Sequence, residues 1–460
     1  MKRKILRLLS VIACCCILLL LLTKCADVMR RKESDQKYLP FFEHADDIDV
    51  LFMGSSHVIN AVYPMELWEH YGITSYNFGG HQNQLPTTYW VMENALDYAE
   101  PKVVVIDCLY LLRNDKTAST FENMHLSFDA FPLSVTKTRA VFDLLDREER
   151  KRRKKNADGA DTGEKHGRLD LLWDYSVYHV RWEELSKEDF VVEATKEYGA
   201  ESRVLIAKPG PVIKNPGTKY EGETAGIRYL KKMIESCRKK GIDVVLTFLP
   251  YPIGSENLWQ AVNTVYDIAK EYDVPYIDFY KTDTVDLTTD CFDADSHLNP
   301  SGAWKVTDHL GKYLRDSLNV PDHRGDAAYR YWDDDYAVYR SEKLARLDEA
   351  GDLNTYLMLL SDPEMEYAMS VGDMRIYEDE VTAHLLAAKG IEPSETASSI
   401  PDIEAPPVSE HQIGFIVYDR KTKEVLHMAG FALPEEIPEE ERRANEFGVV
   451  VMDSYAQRIY

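Results

Sequence analysis

The sequence predicts an α/β protein whose mostly parallel sheet carries helices on both faces, behind a membrane-spanning helix and ahead of a small second α/β domain. Three observations predict it. Between residues 49 and 318, short apolar runs alternate with amphipathic ones, the order that gives parallel strands joined by crossover helices. "KVVVIDCLYL" is nearly continuously apolar, as a strand buried on both faces must be. At the N-terminus, "MKRK" precedes an apolar run from Ile5 to Thr23 interrupted only by Arg7.

That run has the length of a membrane span. Its residues, at about 1.5 Å each, cover roughly 28 Å, close to a bilayer core of ~30 Å. A cleaved signal peptide would have a shorter apolar core and small residues before the cut, whereas "LTKCADVMRRK" puts Lys24 there. The bulky residues before Cys25 also argue against a lipoprotein. Residues 1–25 are therefore expected to be an uncleaved single-span anchor and 26–46 a polar stalk. The short basic N-terminus predicts that the rest lies outside the cell membrane.

The elements follow in order. "DVLFMGS" reads as a strand, "PMELWEHY" as a short helix and "ITSYNFG" as a second strand. "TTYWVMENALDYA" is helical and leads to the buried strand already quoted. "AGIRYLKKMIESCRKKG" is a helix closed by Gly241. "DVVLTFLPYP" is a strand, "LWQAVNTVYDIAKEY" a helix and "PYIDFYK" a strand. "PSGAWKVTDHLGKYLRDSL" closes the unit as a helix with Pro300 in its first turn. An insertion of about 111–222 separates the third strand from its successor. Its basic run "REERKRRKKNADGADTGEKHG" has no apolar period and is expected to be a solvated, disordered loop. The aromatic stretch "LDLLWDYSVYHVRWEELSKEDF" is expected to cap the sheet edge. Past residue 350, "YLMLLSDPEMEYAMSVGD" and "HQIGFIVYDRKTKEVLHMAGF" read as strands, the latter with a turn at "DRKTKE". They flank the helix-like "YEDEVTAHLLAAKG" and mark the accessory domain, 350–460.

Composition limits the function classes. A formal charge of −24 excludes a nucleic-acid partner, because a phosphate backbone must be met by a basic face. Of seven cysteines, Cys14, Cys15, Cys16 and Cys25 belong to the anchor region. Cys108, Cys237 and Cys291 have no paired spacing, so neither a disulfide framework nor a thiolate metal site is expected. No metal and no cofactor are expected.

The chemistry-bearing residues lie at strand ends. Ser56 follows the first strand in "GSSH", and His297 precedes the last helix in "DCFDADSHLNPSGAWK". Parallel strands bring both loops to one sheet edge, where a serine nucleophile would need a base and a carboxylate orienting that base. His57 is expected to be structural, Asp107 to end its strand, Asn299 to cap a helix, and His81 is a candidate lining residue.

With "GSSH" as first block and "DSHLNPSGA" as last, residues about 47–320 resemble the SGNH (GDSL-like) hydrolase superfamily. They are most similar to its membrane-anchored bacterial branch, which includes alginate O-acetylation and teichoic-acid D-alanylation proteins. The resemblance implies a flavodoxin-like sheet and a Ser-His-Asp acyl-enzyme mechanism: Ser56 as nucleophile, His297 as base and Asp295 as the orienting acid. Asp293 is the alternative acid, since Ala294 stands where other members carry a carboxylate. The resemblance implies oxyanion donors among Ser56 and, in the second block "NFGGHQNQ", Gly79, Gly80, Gln82 and Asn83. The usual Asn after the third strand is absent, with Asn114 several residues late. The implied function is an envelope serine esterase or O-acyltransferase acting on a carbohydrate or wall polymer, with a membrane acyl-donor protein as a partner. The alternative is a non-catalytic polysaccharide-binding or assembly protein on the same scaffold.

Overall fold

The computed structural model describes residues 2–154, 167–293, 297–391, 396–400, 403–434, 443–444, 450–452, 454 and 456–460. Helix α1 (Lys2–Met29) is long and apolar enough to cross a membrane, and its apolar window is not buried by the rest of the chain. The residues expected as a polar stalk form instead helix α2 (Lys32–His44), which belongs to the folded domain. Phe41 is fully buried with its ring 4.7 Å from Phe78, and Tyr38 lies 5.3 Å from Phe131. Two aromatics three residues apart share a helix face, and here that face meets the sheet.

Five parallel strands form the main sheet: β1 (Val50–Gly54), β2 (Ser75–Gly79), β3 (Val103–Asp107), β4 (Asp243–Phe248) and β5 (Tyr276–Asp278). Their order is β2-β1-β3-β4-β5, the flavodoxin-like arrangement the resemblance implies. Alternate side chains serve opposite faces. Leu51, Met53, Val104 and Ile106 pack on one side with helices α5 (Leu85–Ala95), α11 (Ala225–Lys240) and α12 (Glu256–Tyr272). Val50, Phe52, Val103 and Val105 pack on the other with α3 (Ser56–Ala61), α4 (Pro64–Tyr71) and α13 (Pro300–Leu318). Gly241 ends α11 in the left-handed region at φ 74°, and Pro300 opens α13.

Among its described residues the insertion carries five short helices, α6 (Phe121–Phe128), α7 (Val135–Leu144), α8 (Arg147–Arg153), α9 (Arg168–Leu172) and α10 (Tyr175–Tyr178). The first part of the basic run is thus a helix, not a solvated loop. Arg153 is buried, donating to Thr117 Oγ1 at 2.8 Å and to the Ala118 carbonyl at 2.7 Å, because these polar atoms need a partner inside. Residues 155–166, the remainder of the expected loop, lie outside the described residues. Tyr198, farther along, pairs its carbonyl with the Asn77 N–H on the open side of β2.

Helix α14 (Arg330–Glu349) returns across the main domain, its Trp332 stacked 5.6 Å from Trp68, and leads into the accessory domain. There "YLMLL" is helix α15 (Leu353–Leu359), not the start of a strand, and α16 (Glu380–Ala388) follows β6 (Met365–Val371). The antiparallel sheet runs Gln457–Arg458, β9 (Val425–Ala432), β8 (Gln412–Asp419), β6 and β7 (Thr396–Ser398). The turn at "DRKTKE" joins β8 to β9 as the sequence predicts.

A buried charge cluster joins the two domains. Lys343 of α14 is 2.8 Å from Glu66 in α4, 2.8 Å from Asp362 and 2.9 Å from Glu364. Burial alone would pull its ammonium down, but Asp362, Glu66 and Glu364 overcome this and hold it well above its ordinary value. Lys343→Ala leaves these carboxylates buried without their cation. It is expected to destabilise the chain by roughly 3–5 kcal/mol, read as a lowered urea midpoint in detergent.

Candidate active site

Strand β1 ends at Gly54, where a side chain has no room: a Cβ would meet Val58 Cγ2 at 2.5 Å and Asp107 Cβ at 3.1 Å. Ser55 then caps α3, its hydroxyl accepting the His57 N–H at 3.4 Å, and Ser56 becomes the first helical residue. Its own N–H is therefore one that the helix cannot pair, and the residue is half-buried at the sheet edge.

The loop after β5 supplies the partners. His297 Nε2 lies 2.8 Å from Ser56 Oγ, and Nδ1 lies 2.5 Å from Asp293 Oδ2. Asp293 Oδ1 also accepts the His297 N–H at 3.0 Å, so one carboxylate grips both ring and backbone. The acid on the histidine is thus Asp293, the alternative of the two candidates. Asp295 lies outside the described residues. The Phe292 ring stacks on His297 at 5.2 Å with an 11° interplanar angle, and the His57 ring meets it edge-on at 5.2 Å. Burial first, then the neighbouring His297, push His57 well below its ordinary value, so it stays neutral and sets no competing charge beside His297.

The loop itself is pinned. Asn299, the cap of α13, donates to the Thr289 carbonyl at 2.8 Å. Asp290, fully buried, accepts from Lys305 at 2.6 Å, Ser301 at 2.8 Å and the Asp286 N–H at 2.8 Å. Buried polar groups paired this fully rigidify what they hold.

The expected oxyanion donors separate. The Gly79 N–H is committed to Asn77 Oδ1 at 2.9 Å and the Gly80 N–H to the Gly54 carbonyl at 3.2 Å. Gln82 is exposed, and Ser119 and Asn123 donate to its side-chain oxygen. Asn83 is buried with its amide against Gly80, Oδ1 accepting from Ser127 at 3.0 Å. Asn83 Nδ2 has no acceptor among the described residues. Ser56 N–H and Asn83 Nδ2 are the donors left over.

Other candidates fall into place around this centre. Asp107 ends β3, accepting the Leu249 N–H at 3.1 Å, and burial pushes its carboxyl up to about 7. His81 pairs with Glu201 at 3.3 Å. Against its burial, His81 and Lys37 hold the Glu201 carboxyl down at about 2. These three residues line a 730 Å³ cavity that borders Gly79 and Gly80 and is walled by α2 and the insertion. Asn77 was not a candidate. It is fully buried in β2 and its amide donates to the Val58 and Val62 carbonyls at 2.7 and 2.8 Å, tying α3 to the strand. A lone amide inside the apolar "SYNFG" was the signal. Among the described residues no group of three or more His, Cys, Asp or Glu is placed to hold a metal.

No family model and no curated protein matches the sequence. Among solved structures, the chain aligns with a proposed lipolytic protein of the G-D-S-L family from Desulfitobacterium hafniense DCB-2, at 13% identity and TM-score 0.30 over 58% of this chain and 100% of that one. It also aligns with a proposed acylhydrolase from Bacteroides fragilis NCTC 9343, at 12% identity and TM-score 0.30 over 63% of this chain and 99% of that one. With both scores at 0.30, neither alignment bears on the chemistry, which is read from the chain's own side chains.

Proposed function

We propose that this chain is a membrane-held serine hydrolase or O-acyltransferase of the SGNH (GDSL-like) kind, working on esters of a carbohydrate or wall polymer outside the cell membrane. One observation carries the reading: Ser56, His297 and Asp293 form a continuous hydrogen-bonded relay at the edge of the parallel sheet. In this mechanism His297 Nε2 takes the Ser56 hydroxyl proton while Oγ attacks the ester carbonyl. Asp293 holds the ring tautomer and stabilises the imidazolium that forms. The oxyanion is met by Ser56 N–H and Asn83 Nδ2. The imidazolium returns its proton to the leaving alcohol, and an acyl ester remains on Ser56. Water, or a sugar hydroxyl deprotonated by His297, then takes the acyl group. A membrane protein that delivers the acyl donor fits the anchored position.

The test is labelling with a fluorophosphonate probe and mapping the modified peptide. Modification at Ser56 supports the reading; an unlabelled, folded protein favours the non-catalytic scaffold. Asn83→Ala is expected to lower the turnover number about 10²–10³-fold while leaving Ser56 labelled, if more slowly. An unchanged turnover number removes Asn83 from the oxyanion site.

A further inference from the structure

The insertion carries apolar side chains that nothing covers among the described residues. Val180, Trp182, Phe190 and Val191 are each 62 to 66% exposed. Isolated exposed apolar residues are ordinary, but four on one short segment beside a membrane-spanning helix form a patch.

The segment is tied to the end of that helix. Helix α10 and the 3-10 turn after it, His179–Glu183, pack on the last turns of α1. There Ala26 is buried and Leu22, still inside the apolar run, is half-buried. Arg181 donates to the Met29 carbonyl at 2.5 Å, and Arg30 pairs with Asp174 at 2.6 Å just before α10. Asp189, 3.1 Å from Arg181, fixes the turn that leads into Phe190 and Val191. From Leu22 to Met29 a helix rises about 10 Å, comparable with the ~5–8 Å of head-group layer on each side of a bilayer core. The covered part of α1 therefore lies at head-group depth, and so does the turn that covers it.

We propose that Val180, Trp182, Phe190 and Val191 insert into the same membrane face from which α1 emerges, so that the domain is seated on the lipid surface and not held off on a tether. The occupant is the bilayer interface itself. Tryptophan favours that depth, with its ring among upper acyl chains and its N–H among head groups. The segment holds Glu183, Glu184, Glu188 and Asp189 against Arg181 and Lys187, so attraction to anionic lipid does not drive the contact. Val180 and Arg181 also line the 730 Å³ cavity beside Gly80, which sets one wall of that cavity at the membrane surface.

The inference rests on α1 spanning a membrane, and the experiment reads the two separately. The full-length chain is placed in phosphatidylcholine nanodiscs, with and without lipid brominated high in the acyl chain. Of the seven tryptophans, Trp182 alone is exposed. The wild-type chain is expected to show bromolipid quenching, and Trp182→Phe to lose at least half of it. Adding Phe190→Trp to that variant is expected to restore it, with no change at high salt. Equal quenching in wild type and Trp182→Phe overturns the proposal. So does an unquenched tryptophan at 190, as when a second copy or another protein covers the patch. Carbonate extraction reads the span: a chain that stays with the membrane but shows no Trp182-dependent quenching loses its lipid seat and keeps its anchor.

Discussion

Ser56→Ala is expected to lower ester turnover by about 10⁴–10⁶-fold and to abolish fluorophosphonate labelling, with no loss of stability. The size follows from the relay. Without Oγ, His297 Nε2 has no proton to accept and the carbonyl no nucleophile, so only binding and oxyanion donors remain. Stability should hold because Ser56 is half-exposed at the first helical position, where alanine suits the backbone. The neighbouring Ser55→Ala makes the contrast. It removes the cap of α3, costing about 0.5–2 kcal/mol, yet leaves the labelled oxygen in place. Loss of labelling in Ser55→Ala but not in Ser56→Ala, with both proteins folded, would reverse the assignment of the nucleophile.

Much of the fold was legible because it rests on periodicity. Strands β1, β3 and β4 are short apolar runs that need two covered faces, and α11 and α13 carry their own stop and start signals in Gly241 and Pro300. What escaped depends on contacts distant in sequence. Tyr38 and Phe41 sit among polar residues that look like a tether, and only the rings of Tyr76, Phe78 and Phe131 make their face a core. Arg153 reads as one charge in a basic run until Thr117 and Ala118 turn their oxygens towards it.

The site divides the same way. Ser56 and His297 are set by topology, since each follows a parallel strand, and their meeting across the sheet edge could be expected before any coordinates. The oxyanion candidates were legible only as a group that the sequence could not narrow. Gly79 and Gly80 look like free donors in "NFGGHQNQ", but Asn77 takes one N–H and the Gly54 carbonyl the other. Spacing also cannot choose between two aspartates on one loop, because the backbone path between acid and histidine decides which carboxylate reaches Nδ1.

Asp293→Asn is accordingly expected to lower turnover by about 10⁴-fold, and Asp295→Asn to change it by no more than a few-fold. His297 Nδ1 has its partner in Asp293 Oδ2 at 2.5 Å, while Oδ1 of the same carboxylate holds the His297 N–H. An asparagine at 293 turns its amide N–H towards Nδ1, which moves the ring proton to Nε2. That tautomer presents a donor where Ser56 Oγ–H needs an acceptor, so the ring stays in place but the proton cannot transfer. The backbone N–H can still reach the asparagine carbonyl oxygen, and the variant should remain folded. Turnover of an aryl ester by both variants, each matched for circular dichroism, measures the difference. Full activity in Asp293→Asn with loss in Asp295→Asn would return the acid's role to Asp295 and show that the loop rearranges when substrate binds.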